Sequence, residues 1–166
     1  MIQTFLTSQP GTALGITRML AAMQDYRDQL LFVLKVRHRE SPRRYTFVAI
    51  FREQGSVGGF TALIDQGGAT SGYDGAGPWA YAQMMSFIED NHILHGDVDW
   101  NDLESDFPNL TGGIKTFAKE EDWAGLAEVW GKLLSFYMWN YLPQLNYEPS
   151  DEWVERARGV DRSSSG

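Results

Sequence analysis

The chain has 166 residues, 22 acidic against 14 basic side chains, a formal charge of −8 and 43% hydrophobic residues. That is a globular composition, and the length fits one domain with a sizeable core. The acidity excludes a protein that coats nucleic acid or anionic membrane with its whole surface. The absence of cysteine excludes disulfides, thiol nucleophiles and cysteine-ligated metal centres.

Met1–Thr7 has no basic leader character, and no apolar run approaches the ~20 residues that a membrane span requires. The expectation is a cytoplasmic protein without membrane association. Residues 11–27 read as an amphipathic helix, with Leu14, Met19, Met23 and Tyr26 on its apolar side. Pro10 and Gly11 would lead into it and Thr12 would cap it.

The period then shortens. Leu30–Arg39 predicts an apolar strand that turns basic at its end, Tyr45–Arg52 a second, and Gly58–Asp65 a third. Pro42 marks the first turn. The short connections predict an antiparallel meander of three strands, because parallel neighbours need a longer crossover. Gln66–Gly77 reads as a glycine-rich loop, followed by a helix from Pro78 to Asn91. Asp97–Asn109 reads as an acidic loop or a single helical turn.

From Glu120 to about Leu142 a long helix is predicted, with Glu120, Glu121 and Asp122 in its first turn and Pro143 as its stop. Trp123, Trp130 and Tyr137 recur every seven residues, which describes a core stripe. Leu133–Leu142 is apolar on nearly every face, so one stripe does not account for it. Ser150 is placed to cap a short helix over Asp151–Arg158, and Arg162–Gly166 reads as a tail. The resulting fold class is α+β: an N-terminal helix, a three-stranded antiparallel meander and a mainly helical C-terminal half packed on one face of the sheet. Residues 1–145 would form the single domain and 146–166 a short helix and tail.

Charge is distributed unevenly along the chain. Residues 1–60 hold eight basic and four acidic groups, whereas residues 61–166 hold six and eighteen. Between Glu53 and Gly113 there are ten acids and no Lys or Arg. The segment Asp97-Val-Asp-Trp-Asn-Asp-Leu-Glu-Ser-Asp106 is the densest part. It opens like a calcium loop at Asp97, Asp99 and Asn101, but Asp102 stands where that loop needs glycine and Pro108 where it needs a bidentate Glu. His92 and His95 straddle a helix end and make a poor metal template. No metal site and no cofactor is therefore expected.

Two constellations remain. Asp97, Asp99, Trp100, Asp102, Glu104 and Asp106, with Phe136 and Trp139 from the long helix, suit a docking surface for a protein partner that is basic where it meets them. Phe136 and Trp139 would equally serve self-association. Alternatively, Gly72, Gly75 and Gly77 precede a helix start, and a meander brings them near Arg37, Arg39, Arg43 and Arg44. Together these would hold a nucleotide or other phosphate-bearing ligand. Gly75-Ala-Gly-Pro-Trp-Ala80 matches a dinucleotide fingerprint only formally, and no Gly-Lys-Ser/Thr of a Walker-type loop exists.

No catalytic residue stands out. There is no Gly-x-Ser-x-Gly elbow, and nothing positions a nucleophile beside His38, the one candidate base. The leading expectation is a non-enzymatic acidic interaction protein, an accessory subunit or an inhibitor of immunity type. A phosphate-ligand module ranks second, and an enzyme using that same cleft third. Nucleic-acid binding through the basic hairpin would work against the net charge.

Overall fold

The computed structural model describes residues 2–7, 14–38, 44–52, 60–70 and 76–141. In chain order its elements are β1 (Gln3–Leu6), α1 (Leu14–Asp25), β2 (Leu30–His38), β3 (Arg44–Arg52), β4 (Phe60–Thr70), α2 (Ala76–Asp90), β5 (His95–Asp99), α3 (Trp100–Asp106), α4 (Pro108–Lys119) and α5 (Trp123–Tyr141). The class is α+β, but among the described residues the sheet has five strands in the order β1-β4-β3-β2-β5 and is mixed. This corrects the three-stranded antiparallel meander. β2, β3 and β4 do pair antiparallel through short connections. Two more strands arrive through helical crossovers and lie parallel: β1 beside β4 and β5 beside β2.

The strand alternation sorts side chains onto two cores. Phe32, Leu34, Val36, Val48, Ile50, Ala62 and Ile64 face α3, α4 and α5, whose Trp100, Leu103, Ile114, Leu126, Trp130 and Leu133 fill that side. Val33, Phe47, Ala49 and Phe51 face α1 and α2, which contribute Ile16, Met19, Met23, Ala80, Met84 and Ile88. Helices therefore cover both faces, where one face was expected. A sheet whose central strands are apolar on both sides leaves no other choice, since each buried aliphatic side chain contributes about 1.5–3 kcal/mol. Leu31 is an extra residue in β2 at a register shift, so Leu31 and Phe32 both turn toward the α3–α5 side.

The glycine-rich segment is also corrected. β4 continues to Thr70, with Tyr45 opposite Ala69 but Thr46 opposite Gln66. The two surplus residues, Gly67 and Gly68, form a bulge, a place where missing side chains let a ladder deform. The acidic loop is corrected as well: Asp97–Asp99 lie in β5, and α3 begins at Trp100 with Asp99 as its N-cap. Glu120, Glu121 and Asp122 lie in the turn before α5 and not in its first turn. Glu121 takes a left-handed φ of 57°, and Asp122 Oδ1 accepts the Gly125 N–H at 3.0 Å. The readings placed on Pro10–Thr12, Pro143, Ser150, Asp151–Arg158 and Arg162–Gly166 fall outside the described residues.

α5 explains its own all-round apolarity by touching three neighbours. Trp130, Leu133, Leu134 and Met138 enter the core. Val129 meets α4 beside Gly113. On a third side, Ala127, Gly131 and Ser135 lie against β1: Thr4 Oγ1 donates to Ala127 O, and the Ile2 N–H donates to Ser135 Oγ at 3.3 Å. A Cβ at Gly131 would stand 2.8 Å from Ile2 O, so only glycine permits this approach.

Candidate functional site

Both crossover helices, α1 and α2, pack on the same face of the sheet. β1 leads to β2 and β4 leads to β5, two shifts in the same direction across the strand order. The crevice that forms where crossovers part to opposite faces, the usual ligand site of open parallel sheets, is therefore missing from these two connections.

Of the segments singled out for a phosphate ligand, the described residues pair at one point. Arg44 pairs with Thr70, so the hairpin base and the glycine-rich stretch are neighbours. Arg37 is exposed on β2, and Gly77 lies in the first turn of α2. Arg39, Arg43, Gly72 and Gly75 fall outside the described residues.

The acidic constellation is distributed over an edge strand and the helix after it. Asp97 stands opposite Lys35 and Asp99 opposite Arg37, so the basic and acidic segments meet side by side in the sheet. Lys35 Nζ lies 3.3 Å from Asp97 Oδ1 and 3.3 Å from the Tyr81 hydroxyl. It also stands 5.6 Å from the ring centroids of both Tyr45 and Tyr81. Burial lowers the Lys35 pKa, but the Tyr81 hydrogen bond and the Asp97 charge outweigh it and hold the ammonium above the ordinary lysine value. Asp97 remains 71% exposed despite the pairing, so it is screened by water on its outer side.

On the opposite face a second polar chain runs inward. Lys115 Nζ lies 2.7 Å from Glu104 Oε1, which also accepts the Trp100 indole N–H. The Lys115 contact, opposed by desolvation and assisted by the Trp100 bond, keeps the Glu104 carboxyl below the usual range. Trp100 is buried, with the His38 ring stacked on it at 5.1 Å and Trp130 at 6.1 Å. His38 Nε2 is 2.7 Å from Thr46 Oγ1. That pair has the spacing of a base and its nucleophile, but Thr46 is fully buried.

The eight residues expected at a partner surface thus separate. Asp97, Asp102 and Asp106 are exposed, and Asp99 is half-buried as the cap of α3, accepting the Asn101 N–H at 2.9 Å. Glu104 is held by Lys115, and Trp100 is core. Phe136 is half-buried, and the Trp139 side chain falls outside the described residues. Lys35, Tyr45, Tyr81 and Lys115 were not foreseen. Lys35 had a signal, since it interrupts the apolar alternation of β2; the tyrosines that surround it come from β3 and α2 and had none.

Among the described residues no group of three or more His, Asp or Glu side chains is placed to hold a metal ion, and no helix is long and apolar enough to cross a membrane. A groove of about 290 Å³ lies at the other end of the sheet, lined by Ala22, Tyr26, Gln29, Phe51, Arg52, Thr61 and Leu63. No protein-family model, no curated protein and no solved structure matches the chain.

Proposed function

We propose that the protein is a non-enzymatic acidic interaction protein, an accessory subunit or inhibitor that docks a basic macromolecular partner along β5 and α3. The observation that carries this reading is that Asp97 of the edge strand β5, and Asp102 and Asp106 of the helix that follows it, are all exposed to solvent. Charge of one sign on an exposed edge steers an oppositely charged partner and suppresses wrong ones. The enclosed Thr46 hydroxyl speaks against catalysis at its pairing with His38.

The test compares the unmodified protein with the double variant Asp102→Lys, Asp106→Lys, each tagged and incubated with native-host extract. The expected result is one basic protein retained in near-equal amount at low salt, released at high salt and absent from the variant. Retention of nothing stoichiometric, or equal retention by both forms, overturns the reading.

A second reading, a module for a phosphate-bearing small ligand, is supported by one observation: Arg44 at the start of β3 pairs with Thr70 at the end of β4. It ranks lower because the crossovers α1 and α2 leave no crevice between them at that end.

A further inference from the structure

We infer that the basic partner contributes an extended segment that adds to the sheet as a sixth strand on β5, an inference that rests on the reading proposed above. Among the described residues β5 ends the strand order, and its five residues pair with β2 in unbroken parallel register. The Val33 N–H donates to Leu94 O at 3.0 Å. In a parallel ladder the main-chain groups alternate in direction, so those of Gly96 and Val98 point to β2, as Leu94 O does, and those of His95 and Asp97 point outward. No proline and no bulge interrupts that outward row.

Charge selects the occupant. A second copy of β5 would set Asp97 and Asp99 against their own kind, and like charges across strands are destabilising. A strand carrying Lys or Arg on the face that bears Asp97 meets opposite charge instead. Gly96 and Val98 are buried on the other face, so the alternate positions of the incoming strand should be small or apolar. The partner segment therefore alternates basic with apolar residues over about five positions. The same carboxylates that repel self-pairing admit this one class of strand.

The probe is a synthetic peptide alternating Lys and Val, titrated at low salt into the full chain while amide hydrogen exchange is followed. Strand addition slows exchange at His95 and Asp97 and leaves Gly96 and Val98, already bonded to β2, unchanged. A matched pair of variants isolates the main chain. His95→Ala and His95→Pro remove the same exposed side chain, but only His95→Pro removes an outward N–H, at the first residue of a strand, where proline fits. The proline variant should bind the peptide about five- to tenfold more weakly than the alanine variant.

Failure of the peptide to bind, slowed exchange without the alternation, or equal affinity of the two variants overturns strand addition. None of these outcomes touches the charge-reversal test on the native partner, so the two readings fail separately. Should His95→Pro not fold, the exchange pattern of the unmodified protein decides alone.

Discussion

At one edge of the sheet a helix lies against the outermost strand; at the other the outermost strand carries charge. The Thr7 N–H donates to Ile64 O, which turns the main chain of Ile2 away from β4, and there it meets Ser135 and Gly131 of α5. β1 has no charged residue, and it needs none while a helix occupies its outer side. β5 presents Asp97 and Asp99 and continues directly into α3. Covering and charging are two solutions to the same hazard, the unpaired ladder. They differ in what they permit: a packed helix excludes every strand, whereas carboxylates exclude only some.

The largest expected effect comes from the residue that ties the two sides together. Trp130 of α5 is fully buried and lies against Trp100 at the start of α3. Trp130→Ala should destabilise the protein by about 3–5 kcal/mol in urea unfolding. A loss under 1 kcal/mol would show that α5 and α3 are supported separately.

Gly131→Ala tests the cover on β1 alone. Its Cβ would collide with a main-chain oxygen, so α5 must move, and a loss of about 1–3 kcal/mol is expected. Gly112→Ala is the matched control, because a Cβ there meets nothing within 4 Å. It should stabilise by about 0.5–1 kcal/mol through helix propensity. Equal responses of the two variants would remove the argument that close approach closes the β1 edge.

The smallest effect concerns the anchoring of α3. The Glu104 carboxyl is held below its unfolded value, so its contribution is present above the ordinary glutamate pKa of about 4.3 and is lost as pH falls through the lower folded value. Glu104→Gln should therefore narrow the stability gap to the unmodified protein as acid is added. An unchanged gap between neutral and strongly acidic pH would mean that Lys115 does not anchor α3 by charge.

How much of this was legible depends on where each signal resides. β2 and β3 announce themselves through apolar runs bounded by turns, and α2 and α5 through their periodicity. β1 does not, because Gln3–Leu6 offers four residues whose partner strand lies far along the chain. β5 reads His-Gly-Asp-Val-Asp, a poor strand by propensity that is ordered by pairing with β2. α4 was hidden by Gly112 and Gly113, and its burial rests on Thr111 and Ile114. At the candidate site the carboxylates were visible as composition. Which of them meet an internal cation depends on Lys35 and Lys115, which reach Asp97 and Glu104 from β2 and α4.

The parallel pairing of β1 has a consequence in time. Thr7 and Ile64, bonded across the β1–β4 ladder, are 57 residues apart. During synthesis at about 5–20 residues per second, β1 leaves the ribosome roughly 3–11 s before that part of β4. The antiparallel strands β2, β3 and β4 can zip as they emerge, because their contacts are local. β1 therefore waits for a partner made seconds later, and α5, made later still, packs against it.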